Sequence, residues 1–203
     1  MLVAIAGGSA SGKSTLAGLL KEHYGKRAVL VYQDNYYLPH THIEPEKRKL
    51  INYDCPEAFD TKLLVRQLGE LKSGIAVEAP LYDYCIHDRQ AVTQTVIPSD
   101  IIILDGILVL YDEPLRRLID ISAFVSLDSG ERLKRRAERD FSQRCRPYEE
   151  TQKQFFDSVD PMHNRYIEPE RAFADIVIDG RDISGEYRKL IELIDERFQK
   201  GEK

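Results

Sequence analysis

Apolar residues in this chain follow two rhythms, short unbroken runs and helical stripes, which largely take turns. Leu2-Val3-Ala4-Ile5-Ala6 is a run of strand length, and Leu16, Leu19 and Leu20 behind it fall at helical spacing. Residues 28–32 form a second short apolar run. A polar stretch, 40–49, follows, in which Pro45 opens a short helix. Residues 51–56 read as an ordered loop, with Pro56 keeping Cys55 out of helical geometry. Asp60 then caps a helix whose stripe is Leu63, Leu64, Leu68 and Leu71 and which Gly74 ends. From Ile75 to Ile97 the rhythm changes to alternation. Ile75, Val77 and Ala79 alternate, as do Val92 and Val96, which predicts two antiparallel strands with 82–89 projecting as a loop. Ile101-Ile102-Ile103-Leu104-Asp105 is an uninterrupted run ending in a carboxylate, as expected of a central parallel strand buried on both faces. Beyond it the pattern predicts helices at 114–119, 131–140, 149–159 and 183–198, with strands at 123–127 and 174–178. Strands alternating with helices give an α/β fold, a mainly parallel sheet flanked by helices.

Between the first strand and the first helix lies Gly7-Gly8-Ser9-Ala10-Ser11-Gly12-Lys13-Ser14, a G-x-x-x-x-G-K-[ST] sequence in the context a phosphate-binding P-loop requires. Gly7 and Gly12 let the backbone turn sharply and approach a ligand. The amides of Gly8, Ser9, Ala10, Ser11 and Thr15 then converge on phosphate oxygens at the positive end of the helix. In that geometry Lys13 reaches the β- and γ-phosphates, and the Ser14 hydroxyl ligates Mg²⁺. The loop predicts binding of a nucleoside triphosphate.

Composition narrows the rest. A formal charge of −5 argues against a general nucleic-acid binder, and no apolar run approaches membrane-spanning length. The apolar start leads straight into the P-loop, unlike a signal peptide. Cys55, Cys85 and Cys145 form no C-x-x-C pair and read as reduced thiols of a cytoplasmic protein. At 203 residues the chain fits one domain, 1–203, with a hairpin excursion at about 75–97.

Several side chains carry two readings. Asp105 ends a hydrophobic strand and suits a Walker-B carboxylate for Mg²⁺, or else caps a turn. Asp34 ends the strand after the P-loop helix and can take a proton from an attacking alcohol, or serve a turn. Asp54 can bind a diol or make an Asx-turn. Tyr37, Tyr53, Tyr82 and Tyr84, with His87, suit the walls of a pocket for a flat heterocycle; alternatively they pack beneath loops. Arg135, Arg136, Arg139, Arg144 and Arg146 run through a helix end into a Pro-terminated loop. They suit a lid at about 140–148 closing over phosphates, against the plainer reading of a solvated helix.

The ordered set Gly-Gly-Ser-Ala-Ser-Gly-Lys-Ser, Gln-Asp-Asn-Tyr-Tyr, Asn-Tyr-Asp-Cys-Pro-Glu-Ala-Phe-Asp and Pro-Leu-Tyr-Asp-Tyr-Cys-Ile-His-Asp-Arg resembles the uridine kinase family. Asp-Gly-Ile-Leu-Val-Leu-Tyr, Arg-Leu-Lys-Arg-Arg-Ala-Glu-Arg-Asp and Phe-Ala-Asp-Ile-Val-Ile extend the likeness from Val3 to about Asp179. The resemblance implies a P-loop kinase that uses ATP or GTP with Mg²⁺ to phosphorylate the 5′-hydroxyl of uridine, and cytidine as well. It implies a homo-oligomer acting on a small nucleoside, with neither nucleic acid nor membrane as partner. It makes Asp34 the base for the 5′-hydroxyl, close also to the metal, and sets Asp54 on the ribose. Tyr82 and His87 then face the pyrimidine edge, with Tyr37, Tyr53 and Tyr84 in the aromatic pocket. Arg136 and Gln154 match family residues on the nucleoside, and Arg146 one near it. Arg139 and Arg144 match positions facing phosphates.

Three departures from the family pattern stand out. Asp105 occupies the position of a Glu, Gln143-Arg144-Cys145-Arg146 replaces Glu-Arg-Gly-Arg, and Asp179-Gly180-Arg181 replaces Pro-Arg-Gly. A kinase of another small alcohol on the same scaffold, a vitamin-type nucleoside or a sugar phosphate, is the neighbouring alternative. A nucleotide-binding switch is the more distant one. It lacks support in an [NT]-K-x-D motif, because Thr61-Lys62 is followed by Leu64 where Asp is required.

Overall fold

The computed structural model describes residues 1–144 and 146–201, save for the side chains at positions 143, 144, 200 and 201. In chain order the elements are β1 (Leu2–Gly7), α1 (Lys13–Tyr24), β2 (Ala28–Tyr32), α2 (Pro45–Arg48), α3 (Thr61–Lys72), β3 (Val77–Asp83) and β4 (Asp88–Val96). They continue with β5 (Ile101–Asp105), α4 (Glu113–Arg116), β6 (Ile121–Ser126), α5 (Ser129–Arg144), α6 (Tyr148–Gln154), α7 (Asp160–Met162), β7 (Ile176–Asp179) and α8 (Ile183–Gly201).

Five strands form one parallel sheet in the order β2-β5-β1-β6-β7. The unbroken apolar runs stand at its centre because both faces are covered. Leu2, Ala4, Ala6, Ile102 and Leu104 pack to one side, with α3 and the β3–β4 hairpin. Val3, Ile5, Ile101 and Ile103 pack to the other, with residues of α1 and α8. The register aligns Ile5 with Asp105 and Asp105 with Tyr32. The carboxyl ends of β1, β5 and β2 therefore finish together, at the edge where open α/β sheets bind ligands.

Some expectations shift. β6 starts at Ile121, two residues early, because Ser122 is held in the strand by Asp175: its hydroxyl and amide both donate to Asp175 Oδ2 at 2.8 Å. The last strand begins at Ile176 rather than at 174. Tyr82 and Asp83 belong to β3, and Asp88 and Arg89 to β4, so the projecting tip is only 84–87. Ile75 precedes the strand and Val92 faces outward, both more than half exposed, while Val77, Ala79 and Val96 turn inward. The charged helix is longer than its pattern, Ser129–Arg144, and takes in most of the segment read as a lid. The helix expected at 149–159 runs on past α6 through π-type turns, Phe155–Val159 and His163–Ile167, on either side of α7. Pro161 accounts for the widening: it has no amide to donate and its ring crowds the preceding turn.

Candidate active site

The P-loop takes its shape from three unusual backbone positions, Gly7 at φ 139°, Ala10 at φ 64° and Gly12 at φ 108°. A Cβ on Gly7 would stand 2.5 Å from the Val125 carbonyl oxygen, so the loop leaves β1 through a gap only glycine fits. Behind Gly8 lie the buried side chains of Arg132 and His163, which leave a Cβ no more than 2.8 Å of room. Ser11 closes the loop, its amide donating to the Gly8 carbonyl at 3.1 Å.

Lys13 is buried at the start of α1, and its ammonium donates to the Gly8 carbonyl at 3.0 Å. Burial holds the Lys13 pKa below its ordinary value, against the opposing pull of Asp105 and Asp34. The Ser14 hydroxyl donates to Asp105 Oδ2 at 2.6 Å. Burial pushes the Asp105 carboxyl up despite Lys13 and Ser14, and its Oδ1 is buried without a hydrogen-bond partner. A hydroxyl and a carboxylate oxygen with capacity to spare are the hard donors Mg²⁺ prefers. Among the described residues no group of three acidic, His or Cys side chains forms a closed metal cage.

Two cavities meet here. The larger, about 420 Å³, is lined by Ser9, Ala10, Gly12, Lys13, Ser14 and Thr15, with Asp34, Asp105 and Arg139 opposite. The smaller, about 80 Å³, is lined by Tyr37, Tyr53, Asp54, Tyr82, His87, Arg136, Arg146 and Gln154. Ser9, Asp34, Tyr84, Ile107 and Arg139 border both. Residues scattered from 9 to 154 thus converge, with Gly7, Gly8 and Ser11 forming the turn beneath. The side chain of Arg144, and Cys145 altogether, lie outside the described residues.

The two readings of the aromatic residues turn out to be compatible. Tyr37 and Tyr82 are buried, with Tyr37 stacked on Phe59 at 4.4 Å, yet both face the smaller cavity. Tyr53 stacks on His87 at 5.8 Å, and the Tyr84 hydroxyl donates to Asp34 Oδ2 at 2.8 Å. Burial, with the nearby Asp34 charge adding to it, pushes the Asp54 carboxyl up, while Arg136 opposes. On the far wall Arg136 donates to Ser9 Oγ at 2.7 Å and to Gln154 Oε1 at 3.2 Å. Arg146 donates to the same Gln154 oxygen.

Sequence reasoning placed Arg135 among the arginines of a lid and missed one member, Asp140. Arg135 borders the larger cavity and donates to the Gly180 carbonyl at 2.9 Å, while Arg181 pairs with Asp128 at 2.7 Å. Asp140, fully buried, holds Arg139 and lies close to Arg136 and Arg146. Its four-residue spacing from Arg136 and eight from Arg132 was the available signal.

Comparison with known proteins follows the same lines. The model of the phosphoribulokinase / uridine kinase family matches residues 2–183. The chain is 44% identical over 179 residues to a uridine kinase of Geobacillus sp. (strain WCH70), covering 88% of this chain and 85% of that one. It is 42% identical over 179 residues to a uridine kinase of Brevibacillus brevis, covering 88% and 84%. The solved phosphoribulokinase from Rhodobacter spheroides superposes with a TM-score of 0.60 at 17% identity, over 90% of this chain and 72% of that one, a likeness of fold.

Proposed function

Because this chain belongs to the phosphoribulokinase / uridine kinase family, we propose that it is a nucleoside kinase that phosphorylates the 5′-hydroxyl of uridine, and of cytidine, with ATP or GTP as donor. One observation carries the reading: a P-loop cavity and an aromatic cavity share a wall containing a carboxylate, Asp34, and a guanidinium, Arg139. A kinase needs that junction, since the phosphoryl group must pass from one ligand to the other without meeting water.

In this mechanism the larger cavity takes the donor. P-loop amides and Lys13 hold its phosphates, and the depressed pKa of Lys13 reflects a dry cradle that an anion relieves. Ser14 and Asp105 would hold Mg²⁺, with Asp34 beside them. When bound, the ion neutralises charge on the phosphates. The smaller cavity takes the nucleoside, with Asp54 on the ribose hydroxyls, Tyr82 and His87 on the base, and Tyr37, Tyr53 and Tyr84 around it. Arg136, Arg146 and Gln154 close the far side. Asp34 accepts the 5′-hydroxyl proton as the 5′-oxygen bonds to the γ-phosphorus and the bond to the bridging oxygen breaks. Lys13, Arg139 and Arg144 offset the charge on the transferring group.

Among the described residues no helix is long and apolar enough to cross a membrane. Cys55 and Cys85 are free thiols. The reading is of a cytoplasmic enzyme working as one catalytic domain, and the homo-oligomer is what the family resemblance implies. The test is a coupled assay with ATP and Mg²⁺ across uridine, cytidine, adenosine, 2′-deoxyuridine, sugar phosphates and vitamin-type alcohols. Turnover of uridine is expected. Turnover confined to a non-nucleoside alcohol would reject the nucleoside assignment and leave the kinase standing.

A further inference from the structure

Helix α5 brings Arg132, Arg136 and Asp140 to one buried face at four-residue spacing. Asp140 is fully buried there. The Arg139 guanidinium donates to its Oδ1 twice, from Nε at 3.0 Å and from Nη2 at 2.8 Å. Arg136 Nε lies 3.5 Å from Oδ2 and Arg146 Nη1 3.9 Å. The Arg146 amide also donates to the Asp140 backbone carbonyl, at 3.1 Å. Among the described residues, one carboxylate therefore gathers three guanidiniums from the helix and from the segment after it. Without a negative charge among them, three cations so close would repel and splay.

The three arginines do not depend on Asp140 equally. Arg136 is anchored to Ser9 Oγ and to Gln154, and Arg146 to Gln154. Among the described residues, both side-chain hydrogen bonds of Arg139 end on Asp140. Arg139 is also the only one of the three that borders both cavities.

We propose that Asp140 is the positioning residue of the transfer step: it aims the Arg139 guanidinium at the junction where the phosphoryl group passes from donor to acceptor. This inference rests on the kinase reading above. It says that removing the carboxylate slows transfer through Arg139. The nucleoside keeps its grip, because the bonds joining Arg136, Gln154 and Arg146 survive.

The experiment is a double-mutant cycle on the full chain, with parent, Asp140→Asn, Arg139→Ala and the double variant assayed for uridine phosphorylation. Asp140→Asn should lower kcat roughly 10²-fold, the cost of a misaimed catalytic group. The uridine KM should stay within about threefold of the parent, since a contact made only in the transition state has been lost. Asp140→Glu restores the charge and should recover part of kcat. In the Arg139→Ala background Asp140→Asn should cost nothing further, the mark of two residues acting as one. An unchanged kcat overturns the proposal, and so does an Asp140→Asn penalty as large without Arg139 as with it. If Asp140→Asn does not fold, the same cycle is run with Asp140→Glu, whose deficit must likewise vanish in the Arg139→Ala background. The parent's own turnover separates the two ideas: a parent inactive on nucleosides fails the functional reading, and the cycle is then judged on whichever alcohol it phosphorylates.

Discussion

The Tyr84 hydroxyl donates to Asp34 Oδ2 at 2.8 Å, tying the tip of the β3–β4 hairpin to the turn that follows β2. Both residues border the two cavities, so this one bond closes the wall between them. It also orients the carboxylate proposed to take the proton. A phenol achieves this without adding a charge beside Lys13.

Tyr84→Phe keeps the ring and removes that bond. A hydrogen bond to a charged group is worth about 1.5 kcal/mol, or roughly tenfold in rate. The expected outcome is a fall of that size in kcat/KM for every acceptor alike, since the carboxylate serves all of them. Steady-state kinetics on uridine and cytidine check it, and parent-like values would detach Tyr84 from the base.

Contacts to the base and to the sugar should fail differently. His87 sits at φ 50°, which Asn tolerates better than Ala, so His87→Asn is the cleaner probe. It should raise the uridine KM and blunt discrimination among bases. Asp54→Ala should weaken all ribonucleosides by roughly tenfold and shrink the preference for uridine over 2′-deoxyuridine. The measurement is kcat/KM on those substrates; identical profiles for the two variants would refute the assignment.

Glu170 supplies a pH prediction away from the catalytic cluster. It is buried, and its Oε1 accepts from the Leu110 amide at 3.1 Å. Burial pushes its carboxyl well above the ordinary 4.5, more than the Leu110 and Tyr111 amides and the Arg116 and Lys13 charges pull it down. The folded chain keeps a proton that the unfolded chain releases. The stability this group contributes is therefore full below pH 4.5 and declines as pH rises toward the folded value. Glu170→Gln removes that slope. Its urea midpoint relative to the parent should grow from about pH 5 to about pH 8; a constant difference would contradict the argument.

Asp160 holds Arg132, the most buried of the described arginine side chains of α5. Arg132 Nη2 donates to Asp160 Oδ1 at 2.7 Å, and the Ser129 hydroxyl donates to the same oxygen at 2.9 Å. Asp160→Ala leaves Arg132 buried without its counter-charge, at a cost of about 3 kcal/mol in urea unfolding. A loss below about 1 kcal/mol would mean that the pair behaves like a solvated surface bridge.

The sequence by itself determined whatever is local or periodic. The β1–P-loop–α1 unit is legible because glycine, lysine and serine stand at fixed offsets between an apolar run and a helical stripe. β5 is legible because four consecutive apolar residues, Ile101 to Leu104, leave no polar face before Asp105, and α3 because Asp60 caps it, its Oδ1 accepting from the Leu63 amide at 3.1 Å. Motif order carried the family, and with it the residues that gather around both cavities. Tertiary structure alone decided which polar groups meet. Tyr84 on Asp34, Arg135 on Gly180 and Arg136 on Ser9 join residues far apart in the chain. No periodicity records such pairings, because a polar side chain obeys the same rhythm whether water or a guanidinium awaits it. Asp140 differs in that its four-residue spacing from Arg136 does put the two on one helix face, yet on a helix so rich in charge a carboxylate reads as solvated. Only the packing of α5 against the P-loop and α6 takes its water away and leaves arginines in its place.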